Sequence, residues 1–144
     1  MTAAAPPPVP GYRLSTDPSD FDVPAIHAYL TTSYWAEGVS LETVRRSVEG
    51  SAVCIGVFDP EGRQVGFARA VTDQVTFAWI ADVYVLEGHR GMGLAAWMLE
   101  ALLADERLQG LRRVVLATRD AHRLYEGVGF GPLPFPERWM QLRG

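Results

Sequence analysis

Cysteine is almost absent from this 144-residue chain, and its scarcity limits disulfide, thiol and metal-site chemistry. The one cysteine, Cys54, cannot form a disulfide within the chain, which suits a reducing cytoplasm. It lies in the apolar run 52–58, so we interpret it as a small buried hydrophobe rather than a nucleophile. The three histidines lack ligand spacing, so we predict no metal site.

Two further absences concern membranes and nucleic acids. No apolar run has the length of a membrane span, and the first residues have neither the positive charge nor the apolar stretch of a signal peptide. The proline- and alanine-rich residues 1–10 are instead predicted to form a disordered tail. The formal net charge of −4 gives no basic surface, so nucleic acid is not an expected partner.

What the chain does contain is an alternation of strand and helix patterns, with enough apolar residues for one buried core over 11–144. Strands are predicted at 11–16, 52–58, 64–72, 77–85, 112–117 and 139–142, and helices at 22–30, 40–48, 93–106 and 121–127. Consecutive strands imply antiparallel pairing, and the helix after residue 85 implies a parallel neighbour. We therefore predict a single α/β (mixed α+β) domain, whose mixed, mostly antiparallel sheet has about six strands and helices on both faces.

The most informative segment is the glycine-rich loop at 88–95. It follows the strand at 77–85 and opens a helix in which Leu94, Met98 and Leu102 recur every fourth residue. A strand that passes through glycines into a helix leaves the first helical N–H groups unpaired. Those donors, with the positive end of the helix dipole, favour a pyrophosphate. The loop therefore indicates a site for a nucleotide-type cofactor.

Two motifs compete for this loop. Residues 91–96 fit the dinucleotide fingerprint with alanine at its last position, but 109–111 lack the acidic residue expected about twenty positions later. The phosphate-loop NTPase pattern fails because neither Gly-Lys-Ser nor Gly-Lys-Thr occurs. The other motif is Arg-x-x-Gly-x-Ala, met by Arg90, Gly93 and Ala95, and a second segment supports it.

That second segment has Leu-Tyr-Glu at 124–126 and Gly-Phe at 129–130, one predicted strand after the loop. Together the two segments resemble the GNAT superfamily of acyl-CoA-dependent N-acetyltransferases. The resemblance covers residues 12–142 and is sharp over 77–130. The chain departs from the family pattern at Thr118, seven residues before Tyr125, where relatives often carry asparagine. The hydroxyl of Thr118 can still contact the pantetheine arm.

The resemblance implies a GNAT-like fold that transfers an acetyl group from acetyl-CoA to a primary amine of a small molecule or protein, directly in a ternary complex. The loop N–H groups would hold the pyrophosphate, and strand backbone would pair with the pantetheine amides. The residues expected to contact acetyl-CoA are Val83, Val85, Arg90, Gly91, Met92, Gly93, Leu94, Ala95 and Thr118.

The reaction that the resemblance implies needs a proton donor and a base, and the sequence offers a candidate for each. Tyr125 is the expected general acid, because a phenol is protonated at pH 7 and can donate to a departing thiolate. Asp82 is the candidate base, because it is the only carboxylate within the central strand. Tyr34 and Trp35, in the loop between the first two helices, are candidate walls of the acceptor site. Each of the four also fits a purely structural role.

Two functions of different classes stay open at this stage. The first is a cytoplasmic N-acetyltransferase that uses acetyl-CoA as cosubstrate, needs no metal and acts on an amine-bearing substrate, most simply a small molecule. The second is an acyl-CoA-binding module, for sensing, without turnover. The intact loop motif and Tyr125 favour the enzyme. No membrane association is expected, and the resemblance leaves a homodimer open.

Overall fold

The strands of this chain follow one another across the sheet in sequence order. A computed structural model describes residues 5–144. The strands are β1 (Arg13–Ser15), β2 (Val53–Phe58), β3 (Gln64–Thr72), β4 (Phe77–Val85) and β5 (Arg113–Val115). The helices are α1 (Val23–Leu30), α2 (Leu41–Gly50), α3 (Leu94–Leu103) and α4 (His122–Gly127). Within this part of the chain, no helix is long and apolar enough to cross a lipid bilayer.

Strands β1 to β4 pair antiparallel, and β5 runs parallel to β4, so the mixed, mostly antiparallel sheet is confirmed. Between residues 5 and 144 the sheet has five strands rather than about six, because 139–142 form none. Met140 and Leu142 are 96% and 99% exposed, so these apolar residues bury no surface against the sheet. The prediction of a last strand is wrong.

Each face of the sheet carries its own helices. One face is covered by α1 and α2, around the buried side chains Ile26, Leu30, Val44, Cys54, Phe67 and Tyr84. The other face is covered by α3, whose predicted stripe of Leu94, Met98 and Leu102 is at most 2% exposed, and by α4. Helices on both faces of the sheet are therefore confirmed.

The first two helices begin where the sequence predicts. The carboxylate of Asp22 accepts a hydrogen bond from the N–H of Ala25, with Pro24 in the first turn. The hydroxyl of Ser40 accepts from the N–H of Thr43 at the start of α2. These caps fix the two ends of the loop between α1 and α2, which lies over the cleft described below.

A bulge interrupts the pairing of β3 with β4. Phe67 lies opposite Tyr84, whereas Arg69 lies opposite Ala81, so β4 contains one extra residue. Asp82 occupies the bulge with φ of +56°, a left-handed conformation that residues other than glycine seldom adopt. The bulge bends β4 and turns the side chain of Asp82 toward the cleft.

Beyond this bend, β4 and β5 separate. The two strands pair only over Phe77–Trp79 of β4, while β4 itself continues to Val85. Its second half therefore has an edge that no strand of the described chain covers. An uncovered strand edge presents unpaired N–H and C=O groups to any ligand that can supply partners.

The sequence predicts a disordered tail before β1. Residues 1–4 of that tail lie outside the described residues, but Ala5 and those that follow have defined contacts. The indole N–H of Trp97 donates to the carbonyl of Ala5 over 2.8 Å. Pro8 lies beside Gly93, within 3.6 Å of where a Cβ would stand. The segment thus runs along the first turn of α3.

Candidate active site

A cleft of about 960 Å³ opens where β4 and β5 separate. Four segments form its walls: the α1–α2 loop, the second half of β4, the loop that opens α3 and the connection from β5 to α4. Of the residues that the sequence singles out, the cleft is lined by Tyr34, Trp35, Asp82, Val83, Val85, Arg90, Gly91, Gly93, Leu94, Ala95, Thr118 and Tyr125. Met92 instead packs against the core beneath α3.

The glycine loop forms a concave surface of backbone N–H groups. Gly91 and Gly93 have φ of +77° and +80°, in the left-handed region. Gly93 is the N-cap residue of α3 and supplies no side-chain acceptor, so the first N–H groups of the helix are left for a ligand. Successive N–H groups in such a turn attract an anion, and the helix dipole adds to that attraction.

Arg90 lines the cleft as an exposed residue, and its guanidinium is bonded to two groups outside the glycine loop. Its Nε donates to the carbonyl oxygen of Val85 over 2.8 Å, and its Nη2 donates to the hydroxyl of Tyr29 over 3.1 Å. The guanidinium therefore ties the loop to the end of β4 and to α1. Sequence reasoning missed Tyr29, because nothing local to α1 indicates a partner 61 residues away.

Asp82 lies at the centre of a polar network. One carboxylate oxygen accepts from the indole N–H of Trp35 over 2.9 Å, and the other accepts from Nε of Arg69 over 2.7 Å. The guanidinium of Arg69 also donates to the hydroxyl of Ser51. Sequence reasoning missed Arg69, although a lone charge inside the apolar strand β3 was the signal that could have found it.

Tyr34 bonds to the opposite wall of the cleft. Its hydroxyl accepts from the backbone N–H of Arg119 over 2.8 Å, and the guanidinium of that residue lies 3.9 Å from the ring centroid. Because Trp35 bonds to β4 and Tyr34 bonds to the β5–α4 connection, the α1–α2 loop spans the cleft.

Aromatic rings line the part of the cleft beneath this loop. The rings of Tyr34 and Trp35 meet edge to face at 5.1 Å, and Tyr29 stacks on Tyr84 at 4.1 Å. Tyr34, Trp35 and Trp79 each leave more than a third of their surface exposed. These rings offer flat, apolar contact area to a ligand.

Tyr125 extends from α4 into the same cleft. Its ring packs edge to face on Phe130, and the side chain is 9% exposed. Burial, with Tyr34 and Asp120 nearby, raises the pKa of Tyr125 to about 12, so its hydroxyl is neutral at physiological pH. No residue between 5 and 144 accepts a hydrogen bond from that hydroxyl, which leaves its proton available to a ligand.

Thr118 lines the cleft, whereas Cys54 lies outside it. The hydroxyl of Thr118 accepts from the N–H of Ala121 at the start of α4, and the residue lines the cleft. Cys54 is buried under α2 and does not line the cleft; burial raises the pKa of its thiol to about 11.

Among the described residues, no three His, Cys, Asp or Glu side chains are grouped closely enough to hold a metal ion.

The chain is similar in sequence to acetyltransferases. The model of the Acetyltransferase (GNAT) family matches residues 16–130. The Gibberella zeae protein named "Putative acetyltransferase FG08082" is 35% identical over 136 residues, which cover 79% of this chain and 75% of that protein.

Two solved structures are informative. A GNAT-family protein of Xanthomonas campestris pv. campestris has 43% identity and a TM-score of 0.88, with 94% of each chain covered. A GNAT family N-acetyltransferase of Escherichia coli, solved in complex with CoA, has 24% identity and a TM-score of 0.65, covering 91% of this chain and 72% of that one. The second likeness is one of fold alone.

Proposed function

The chain belongs to the GNAT family of acetyltransferases, and on that premise we propose that it moves an acetyl group from acetyl-CoA to a primary amine of a small molecule, directly in a ternary complex. One observation carries this proposal. The uncovered edge of β4 shares a single cleft with the uncapped start of α3 and with the neutral hydroxyl of Tyr125. A thioester carrier with amides and a pyrophosphate needs these three features together.

In this proposal, acetyl-CoA binds through backbone groups. The pyrophosphate lies against the N–H groups of the loop from Gly91 to Ala95, where the helix dipole adds to the attraction. The pantetheine arm pairs with the edge of β4 around Val83 and Val85, as an added strand would. Arg90 already occupies the carbonyl of Val85, so the arm uses the remaining groups of that edge.

The reaction follows as an addition and elimination. The amine nitrogen attacks the thioester carbonyl carbon and loses a proton to Asp82, directly or through water, as the C–N bond forms. When the C–S bond breaks, Tyr125 donates its proton to the sulfur, and the phenolate then regains a proton from solvent. Asp82 lies within the cleft, although its present hydrogen bonds to Trp35 and Arg69 must loosen for it to accept that proton.

The acceptor contacts the aromatic walls. Tyr34, Trp35 and Trp79 present exposed ring surface in the cleft. The charged side chains of the cleft wall form ion pairs, Arg69 with Asp82 and Arg119 with Asp120. We therefore propose an acceptor whose amine is joined to a flat apolar group. Such a group gains contact area on aromatic rings that a chain of polar atoms does not.

The test is thiol release from acetyl-CoA across an amine panel of arylalkylamines, polyamines, amino acids, aminoglycosides and peptides. All thirteen basic residues of the chain are arginines, so lysine acetylation of the enzyme itself cannot contribute background. We expect release above hydrolysis with arylalkylamines and less with polyamines. Binding of acetyl-CoA without release for any amine would favour the alternative, a non-catalytic acyl-CoA-binding module. Release that is fastest with polyamines would contradict the proposed acceptor class and leave the proposed acetyl transfer standing.

A further inference from the structure

Because two nitrogens of the Arg90 guanidinium are bonded to Val85 and Tyr29, the side chain that the motif would place beside a pyrophosphate is tied to other partners. His89 precedes it, at the end of a short 3-10 turn at Glu87–His89, and it lines the same cleft as Gly91. His89 is therefore placed to supply a side-chain donor to the pyrophosphate.

The ring of His89 is held in one orientation by Tyr12. The Tyr12 hydroxyl lies 2.8 Å from Nδ1 of His89, and the two rings meet edge to face with centroids 5.9 Å apart. When a partner holds one nitrogen of an imidazole, the other nitrogen is the one free to bind a ligand. Here the free nitrogen is Nε2, and it carries the proton when the Tyr12 hydroxyl donates to Nδ1.

Tyr12 is itself held in place by the segment that precedes it. That segment lies along α3, fixed by the hydrogen bond from Trp97 to Ala5 and by the contact of Pro8 with Gly93. The partners on α3 and its loop are residues 97, 93 and 89, four positions apart in sequence, and the segment meets them through residues 5, 8 and 12.

We propose that His89 donates through Nε2 to a phosphate oxygen of acetyl-CoA, and that Tyr12 is a positioning residue that fixes the imidazole for this contact. The inference rests on the proposed function, since it needs acetyl-CoA in the cleft. It goes beyond the glycine-loop motif, because neither residue belongs to that motif and Tyr12 lies 77 residues away from His89 in sequence.

The test compares binding of CoA with binding of pantetheine, which has the same amide-bearing arm but no pyrophosphate. Both are titrated into the full chain and followed by NMR, which measures weak as well as tight binding. We expect His89→Phe, which keeps a flat ring against Tyr12, to lower CoA affinity about tenfold, the scale of a charge-assisted hydrogen bond, and to leave pantetheine affinity unchanged. The matched control is His122→Phe, because His122 is exposed and does not line the cleft.

The positioning role of Tyr12 is tested by comparing CoA affinity with and without His89. Tyr12→Phe is expected to weaken CoA binding a few-fold in the parent and to have no further effect in the His89→Phe background, because it acts through His89. The imidazole resonances of His89 are expected to shift when CoA is added and to stay in place with pantetheine.

Three outcomes separate the claims. If the parent binds neither CoA nor pantetheine, the proposed function fails. If the parent binds CoA but His89→Phe binds it equally well, or loses CoA and pantetheine affinity alike, the role of His89 is overturned while the proposed function stands. If Tyr12→Phe weakens CoA binding equally with and without His89, Tyr12 does not act through the imidazole.

Discussion

At the scale of single residues, Tyr125 keeps its proton because its ring is buried between α4 and the cleft. Its pKa of about 12 leaves the hydroxyl neutral throughout the working range, so its ionisation is expected to lower activity only near pH 12. A neutral hydroxyl with no acceptor among the described residues is the state that a proton donor requires.

Tyr125→Phe removes that donor and keeps the ring against Phe130. We expect kcat to fall by roughly 10²- to 10⁴-fold, as for the loss of a general acid, with acetyl-CoA affinity and thermal stability close to those of the parent. Steady-state kinetics on an amine from the panel, with calorimetry for binding, make the measurement. Full turnover by the variant would show that Tyr125 is a core residue.

The variant Asp82→Asn distinguishes a catalytic role of Asp82 as the base from a purely structural role in holding Trp35 and Arg69. The amide oxygen can still accept from Trp35, but the charge opposite Arg69 is lost, which we expect to cost about 1–3 kcal/mol of stability. If Asp82 is the base, kcat falls about 10²-fold at neutral pH and recovers as pH rises, because the free amine then needs no base. The pH profiles of kcat and of kcat/KM for parent and variant measure this. A uniform loss at every pH would leave Asp82 as an anchor only.

At the scale of elements, the loop before α3 depends on its glycines for backbone conformation rather than for space. Gly91 has φ of +77°, and a Cβ there would meet nothing within 4 Å. Gly62, in the turn between β2 and β3, has φ of +86° and equally open surroundings, but it does not line the cleft. The two positions form a matched pair.

Gly91→Val and Gly62→Val are each expected to lose about 1–2 kcal/mol of stability, because a β-branched residue is strained in the left-handed region. Only Gly91→Val is expected to lose acetyl-CoA affinity, since only its strain turns loop N–H groups away from the pyrophosphate. Chemical denaturation and calorimetry measure the two effects. Equal acetyl-CoA affinities in both variants would place the pyrophosphate elsewhere.

The elements also show what the sequence could predict. The bounds of β3 and β4 agree with the predicted 64–72 and 77–85, because both strands are apolar runs bounded by turn residues. The bulge at Asp82 was not predictable, since alternation within one strand does not reveal which residue its partner skips. The links of Trp35 to Asp82 and of Tyr12 to His89 join residues 47 and 77 positions apart, beyond the reach of local patterns.

At the scale of the whole molecule, burial of titratable groups makes stability depend on alkaline pH. The pKa of Cys54 is raised from 9.0 to about 11 and that of Tyr125 from 10.0 to about 12. Burial raises the pKa of Tyr84 as well. In each case the folded state favours the neutral form, so the stability gained is complete below the unfolded pKa and is lost as pH rises through the folded one.

We therefore expect the free energy of unfolding to fall between pH 9 and 12. Cys54→Ala removes one of the groups, so the fall between pH 9 and 11 should be shallower in this variant, whatever its starting stability. Urea denaturation at a series of pH values makes the measurement. Parallel curves for parent and variant would mean that the thiol titrates alike in the folded and unfolded chain.

The separation of β4 from β5 has a thermodynamic consequence as well as a structural one. If acetyl-CoA pairs with the uncovered edge of β4, as we propose, its binding adds to the stability of the folded state. At a concentration one hundred times its dissociation constant, a ligand that binds only the native chain adds about 2.7 kcal/mol to its stability. Those amide hydrogens of the second half of β4 that point away from β3 should exchange quickly in the free protein and slowly once the cleft is filled.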